Sequence, residues 1–357
     1  MEAWKTNPLW TDADVYHQTG WIMMNERDSD LAQRIRKNFQ DCGHPDWTQD
    51  MTEAEVRRSW REVLKEADLS LFGSYYFNPS AGWADAGKAL KIMAEATIQM
   101  GVKYQVGEAT RLMLGDHGIT GIETASGECF TASRILLATG AWTSQLMASV
   151  EDDLQMPTSV RIENQLTAAG VCSAHFQLSQ EERELYDLLP VYVYGGEGEV
   201  LPPTAAGLLK FTSTTAFKNT IQTSTGHTLS VPPSTHQYDV PESIRKECIS
   251  HFKRRLPQLF DDGREAEYFR FCWDAITPNQ HPLITRHPHS QLSNLYFAAG
   301  GSFHCWKFLP IIGQYVVNVL NGTSNGANRD EAWKWKEESL GRGVHDKLIP
   351  NRDLRDY

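Results

Sequence analysis

The 357 residues contain no GxGxxG, no GxxxxGK[ST], no HExxH and no two cysteines at CxxC spacing. The quickest signatures of a dinucleotide loop, a phosphate loop, a zinc protease and a thiol metal site are therefore missing. The six cysteines, Cys42, Cys129, Cys172, Cys248, Cys272 and Cys305, are scattered. In a chain of this length they read as reduced thiols and not as a disulfide frame. Positive charge is also scarce: 34 basic against 45 acidic residues give a formal charge of −11. That balance argues against nucleic acid or an anionic membrane as the main partner. No apolar run approaches the ~20 residues that span a bilayer; Leu309–Leu320 is among the longest. No basic, apolar leader opens the sequence, and Leu354-Arg-Asp-Tyr357 is not a peroxisomal address, so the expected location is cytoplasmic. The Asn321-Gly-Thr323 sequon then has no glycan to carry.

Apolar residues make up 41% and charged residues 22%, the composition of a folded globular chain, and the length suggests two domains. The end of a helix is expected within Met1–Trp10 and a strand over Tyr16–Met24. Helices are expected over Asp28–Cys42 and Thr52–Ala67, the latter opened by the capping-box pattern Thr52-Glu-Ala-Glu55. Another helix runs from about Ala84 to Met100, followed by a strand at Val102–Val106 and a hairpin of Ile119–Thr124 with Cys129–Ala132. The middle of the chain, with Leu201-Pro-Pro203 and Val231-Pro-Pro233 as turns, reads as a mixed antiparallel region closing on a helix at Glu242–Arg255. The charged tail from Arg329 reads as a surface helix and an extended arm.

Two segments stand out. Arg134-Ile-Leu-Leu-Ala-Thr-Gly140 and Asn294-Leu-Tyr-Phe-Ala-Ala-Gly300 are apolar runs ending in glycine, the look of buried parallel strands. Glycine lets backbone N–H groups approach a ligand closely, and the carboxyl edge of such sheets is where dinucleotides lie; two ordinary buried strands would look the same. His281, His287, His289 and His304 crowd one stretch, but no carboxylate or second cysteine follows at ligand spacing, so no metal site is expected.

The residues around these strands carry more. Arg270-Phe-Cys-Trp-Asp274, Leu283-Ile-Thr-Arg-His-Pro288, Tyr296-Phe-Ala-Ala-Gly300 and Ser302-Phe-His-Cys-Trp-Lys-Phe308 occur in that order, after Phe77-Asn-Pro-Ser-Ala-Gly-Trp83, Thr139-Gly-Ala-Trp142 and Gly207-Leu-Leu-Lys210. Together they resemble the FAD-dependent amine oxidases of the D-amino-acid oxidase superfamily. Within it they resemble the sarcosine oxidase branch, and most of all the fungal saccharopine and pipecolate oxidases and the fructosyl amino acid oxidases. The resemblance covers nearly the whole chain. It implies an α/β (α+β) two-domain flavoprotein fold. A discontinuous FAD-binding domain with a parallel sheet would take residues 73–157 and 272–345, a mixed antiparallel substrate domain 11–72 and 158–271, and a C-terminal arm 346–357.

The same resemblance implies roles. Cys272 matches the cysteine joined by a thioether to FAD, although a lone cysteine is by default a small buried hydrophobe. Lys307 matches a lysine at the flavin pyrimidine edge, where a cation and the start of the Leu309–Leu320 helix would favour negative charge; a solvated lysine is the alternative. Lys210 matches the lysine that assists O2, unless it is a strand-edge lysine. His304 matches a substrate-facing histidine. Gly140, Ala141 and Trp142 would follow the diphosphate and ribose, Thr110 the adenine, and Gly300 and Gly301 would also bind the cofactor. Phe303 and Cys305 stand where sarcosine oxidase has glycines, and Asp274 replaces a tyrosine, which suits a cationic substrate. The family opens on a strand–GxGxxG–helix unit of ~30 residues, and this sequence enters after it. Two readings follow: an oxidase acting on the C–N bond of a small amine or amino acid with O2 as acceptor, giving imine and H2O2, or a truncated, flavin-poor relative acting as a binding module.

Overall fold

The computed structural model describes residues 1–336 and 349–357 and divides into two compact units. Unit 1 comprises residues 1–99, 171–215 and 236–272, and unit 2 residues 100–170, 216–235 and 273–357. This partition differs from the one expected: the helix Ala86–Gln99 falls in unit 1 and residues 216–235 fall in unit 2. The expected arm at 346–357 lies partly outside the described residues. No helix among the described residues is long and apolar enough to cross a membrane.

Unit 1 is built on a mostly antiparallel sheet. Its strands run in the spatial order Thr167–Gln177 (from Val171 onward), Leu208–Ser213, Gly198–Leu201, Val191–Tyr194, Trp21–Glu26, Phe72–Asn78 and Gln49–Met51. Among these neighbouring pairs Val191–Tyr194 with Trp21–Glu26 is parallel and the others are antiparallel. The inner face is aromatic: Phe252 of the helix Glu242–Arg255 stacks on Phe211 at 4.9 Å and meets Phe176 edge-on at 5.2 Å. The expected strand at Tyr16–Met24 is split by Gly20, whose φ of +81° interrupts the extended chain. The Thr52–Glu55 capping box forms, but the helix spans only Glu53–Arg58, because Trp60, Arg61 and Glu62 all take left-handed φ values.

In unit 2 Ile135–Leu137 runs parallel beside Leu295–Ala299, with Leu283–Arg286 antiparallel on the other side of the latter, and Phe217–Lys218 pairs in parallel with Arg352–Asp353. The expected hairpin appears as the antiparallel pair Gly118–Thr124 and Cys129–Thr131, extended by Ala109–Gly115. These elements and the helix Thr143–Asp153 enclose a core of Leu112, Leu137, Met147, Val150, Phe297 and Trp335. Val102–Val106, expected as a strand, is irregular, with Val102, Tyr104 and Val106 exposed at 57, 68 and 77%. Its alternation fits a strand, but a strand exists only where a neighbour accepts its hydrogen bonds. Likewise the apolar helix Leu309–Leu320 has no fully buried side chain.

One buried charge holds unit 1 together at the end of its long helix. Arg255 is fully buried, lies 3.5 Å above the Tyr194 ring and donates to Glu197 at 3.1 Å; Arg254 pairs with the same carboxylate. Burial pushes Glu197 up, but the two guanidinium groups outweigh it and hold the carboxyl below its ordinary range. Glu197→Ala leaves the buried guanidinium without its counter-ion and is expected to cost about 3 kcal/mol, the lower end for breaking a buried pair. Urea unfolding at neutral pH checks this; a loss within the scatter of a surface substitution contradicts it.

Candidate functional site

In unit 1 the register of two strands sets a polar face. Leu208–Ser213 alternates half-buried and buried residues, so Lys210 and Thr212 point one way while Leu209, Phe211 and Ser213 point into the core. Antiparallel pairing sets Lys210 opposite His175 and Thr212 opposite Ser173. Cys272, half-buried, lies with its Sγ 3.7 Å from Ser173 Oγ, which in turn lies 3.0 Å from His175 Nε2. Cys272 and Lys210, far apart in sequence, therefore share one face, with Ser173 and His175 between them. His175 stacks on Tyr268 at 4.3 Å. Burial, then the charges of Lys210 and Arg270, push His175 down to about 4, so it is neutral at physiological pH. Among the described residues two atoms of this face, His175 Nδ1 and Thr212 Oγ1, are buried without a hydrogen-bond partner.

Ser173 and His175 escaped the sequence reading. The signal was present as two polar residues at alternate positions inside Ala168-Ala-Gly-Val-Cys-Ser-Ala-His-Phe176, the period of one strand face. A cavity of about 280 Å³ elsewhere in unit 1, lined by His17, Trp83 and Arg183 among others, contains none of the expected site residues.

In unit 2 the chain leaves Leu295–Ala299 through Gly300 and turns sharply, with Ser302 and Phe303 at φ +48° and +61°. Asp274 holds this turn: its Oδ2 accepts from the Phe303 N–H and its Oδ1 from the Ala275 N–H, both at 2.7 Å. Burial raises the Asp274 carboxyl, and those two N–H groups pull it back. Asp274 was expected to face a cationic substrate; here both its oxygens are engaged by backbone. Gly300 and Gly301 were expected to admit a ligand. A Cβ on Gly300 would lie 2.5 Å from Thr277 Cγ2, and one on Gly301 2.6 Å from Asp274 Oδ2, so packing already demands both glycines. Gly140 is different: its φ is +49° and a Cβ there would meet nothing within 4 Å.

His304 Nε2 donates to the carbonyl of the buried Gln280 at 2.7 Å, which fixes the ring's orientation, and its Nδ1 lies 4.0 Å from Cys305 Sγ. Lys307 sits in the turn Cys305–Phe308 just before the helix Leu309–Leu320. Its side chain keeps contact with solvent, while the protein around the ammonium lowers its pKa by desolvation, Cys305 pulling the other way. No side chain caps the helix that follows; the Leu309 N–H donates to the Trp306 carbonyl and Pro310 has none, so what this helix start offers an anion is the positive end of its dipole. Trp306 and Phe308 flank Lys307 with 46 and 36% exposure, and Trp142 near Gly140 is 51% exposed. Thr110, expected near adenine, is exposed on the strand Ala109–Gly115 and donates to the Glu123 carbonyl at 3.2 Å. Of the crowded histidines, His287 is buried against Trp335 at 4.6 Å and accepts from the His289 N–H. That pair is spent on local structure.

Unit 1 thus offers a half-buried thiol and an ammonium on one face. Unit 2 offers flat exposed aromatics, an ammonium, an uncapped helix start and an open glycine. Within unit 2, a planar ring with an anionic edge fits the aromatics, the ammonium and the positive helix end, as a flavin-binding class of protein requires. The model of the FAD dependent oxidoreductase family matches residues 3–319, and the chain belongs to that family. It is 26% identical to L-saccharopine oxidase of Schizosaccharomyces pombe, covering all of this chain and 82% of that protein. It is 21% identical to peroxisomal sarcosine oxidase of Homo sapiens, over 85% of this chain and 72% of that one. The crystal structure of the deglycating enzyme fructosamine oxidase from Aspergillus fumigatus superimposes with a TM-score of 0.82 at 28% identity, covering 99% of this chain and 79% of that one. FAD is the cofactor of this family, and the fold is the mixed α/β flavoprotein fold expected from the sequence.

Neutral His175 has a consequence for stability. Its folded pKa lies below the ordinary 6.5, so the unfolded chain binds more protons between about pH 4 and 6.5 and stability falls on acidification through that window. At 1.36 kcal/mol per pKa unit, the full loss is on the order of 3 kcal/mol. His175→Gln is expected to flatten the fall between pH 7 and pH 5 in urea unfolding, and identical slopes for the two proteins would refute the assignment.

Proposed function

We propose that this chain is a flavin-dependent oxidase of a small amine or amino acid, with O2 as acceptor and imine and H2O2 as products. What carries the reading is the family match over residues 3–319 together with Cys272 and Lys210 on one face of unit 1. It favours the oxidase over the flavin-poor binding module. When bound, FAD supplies the acceptor for the hydride that leaves the carbon of the C–N bond. The other roles belong to the chain's own side chains.

Cys272 would hold the flavin through its sulfur. Lys307 and the uncapped start of the Leu309–Leu320 helix would hold the anionic edge of the ring. Gly140, Ala141 and Trp142 would accompany the diphosphate and ribose, and Thr110 the adenine. His304, its ring fixed by the Gln280 carbonyl, would present its other edge to the substrate. Phe303 and Cys305 would narrow the wall beside it. Lys210 would place positive charge where O2 takes up electrons; with neutral His175 opposite it, no second cation on that strand position competes. The relatives act on saccharopine, sarcosine and fructosamine by their names, and these define the substrates to try first.

Purified protein supplied with FAD is expected to be yellow and to release H2O2 with at least one of L-saccharopine, pipecolate, an N-methyl amino acid or a fructosyl amino acid. Colourless protein after FAD loading sinks the reading. Cys272→Ala is expected to make the flavin extractable by acid denaturation, whereas the unsubstituted protein retains it. Lys210→Met is expected to slow the O2 step by at least tenfold while leaving anaerobic flavin reduction within about twofold; each 1.36 kcal/mol lost from transition-state stabilisation is one such decade. Equal slowing of both half-reactions contradicts the role of Lys210.

A further inference from the structure

The helix Thr143–Asp153 of unit 2 ends on Glu151, Asp152 and Asp153, three acids at the end where the helix dipole is already negative. The turn before the strand Thr228–Ser230 inserts His227 against them, with no exposed surface on its side chain. His227 Nε2 lies 3.0 Å from Asp152 Oδ1. His227 Nδ1 lies 3.1 and 3.2 Å from the two oxygens of Glu163 and 3.9 Å from Glu151 Oε2. One donor atom from each of Glu151, Glu163 and His227 falls within a 4.8 Å group. Glu151 is fully buried; its Oε1 accepts from the Ile162 N–H at 2.8 Å, and its Oε2, turned toward the imidazole, has no hydrogen-bond partner among the described residues.

We propose that Glu151, Glu163 and Nδ1 of His227 bind one divalent first-row cation of the Zn2+ or Mn2+ class, with Asp152 orienting the imidazole from behind. The geometry is that of a ligand set. An ion ~2.0–2.1 Å from its ligands holds neighbouring ligand atoms about 3.3 Å apart in a tetrahedron, and the observed 3.1 and 3.9 Å bracket that spacing. An Nε2–H directed at a carboxylate leaves Nδ1 as a lone pair, the arrangement by which a second carboxylate fixes a metal-bound histidine. That lone pair faces carboxylate oxygens, which are acceptors as well, so a proton or a cation must sit between them. A proton is the competing occupant, on the imidazole or on Glu151; on the imidazole it leaves Glu151 Oε2, 3.9 Å away, unsatisfied, whereas one ion can be shared by all three groups. With no ion bound, burial pushes the Glu151 carboxyl up to about 8, the Glu163 charge adding to the rise while the Ile162 N–H and Arg161 oppose it, so an ion that binds here at neutral pH displaces a proton. One imidazole nitrogen with carboxylate oxygens suits Zn2+ or Mn2+ better than Ca2+, which takes oxygen donors alone.

The site would tie the hairpin Thr220–Gln222/Thr228–Ser230 to the helix, where Leu229 and Val231 already pack on Ala148. It is independent of the oxidase reading. The test uses the full chain, stripped with EDTA and dialysed against Zn2+. The unsubstituted protein is expected to retain one zinc per chain and to melt at a higher temperature than the stripped form. The double variant Glu151→Gln, Glu163→Gln is expected to lose both effects, and Asp152→Asn to weaken zinc binding about 10–100-fold. Removing buried charges can itself disturb this region, so crystals of the unsubstituted protein soaked in Zn2+ or Mn2+ locate the ion directly by its anomalous peak. No stoichiometric zinc, equal zinc in the double variant, or an anomalous peak away from His227 overturns the proposal.

Discussion

The pairing of the strand Leu208–Ser213 with the segment Ser173–Gln177 fixes where charge stands in unit 1. A strand's side chains alternate strictly, so a slip of one residue would drive the Lys210 ammonium into the layer filled by Phe176, Phe252 and Phe260 and turn Phe211 out to water. Stacking of Phe211 on Phe252 and full burial of Leu209 make that slip costly, so the aromatic side of the sheet sets the polar side. Ser173, His175 and Cys272 then fall into place without any interaction of their own being strong. This is why Lys210 and Cys272, on different strands, appear on one face.

That face also shows how much of the site was legible in the sequence and where legibility stopped. Cys272, Lys210, His304 and Lys307 stand out in the sequence because a family resemblance rests on residue types at fixed offsets within short motifs. Ser173 and His175 belong to no motif; only the period of their strand marks them. Elements with strong local signals formed where expected, as the capping box at Thr52 and the helix Glu242–Arg255 show. Val102–Val106 did not, because its alternation states only that a strand could form there, and pairing is settled by residues far away in sequence. The helix begun at Thr52 ended early for the same kind of reason: three successive left-handed residues are a tertiary choice that no propensity announces.

Glycine and aspartate near the strand ends teach a narrower lesson. A glycine after an apolar strand invites the idea of a ligand close to the backbone, yet Gly300 and Gly301 are required by Thr277 and Asp274 on their own. Asp274 invites the idea of a cationic substrate, yet its oxygens are held by the Ala275 and Phe303 N–H groups. Their common function is to support a turn containing Ser302 and Phe303 in conformations disfavoured for side-chain-bearing residues, and that turn sets the start of His304 and Lys307. Gly140 is the exception, since space is open where its side chain would be. Absence of a side chain thus has two physical meanings here, and only the surroundings separate them.

The helix Thr143–Asp153 joins two of these themes within unit 2. Its start follows Gly140–Trp142, where the resemblance places the cofactor's diphosphate, and its end carries the acids around His227. At 1.5 Å per residue its eleven residues separate the two ends by roughly 16 Å, too far for a charge at one end to act strongly on the other through a screened medium. A cation among Glu151, Glu163 and His227 would therefore act mechanically. It would offset the repulsion of three acids at a negative helix end and so hold the last turn helical, and with it the direction of the whole rod. Whatever such an ion would do for the start of the helix would thus be carried by the backbone and not by charge.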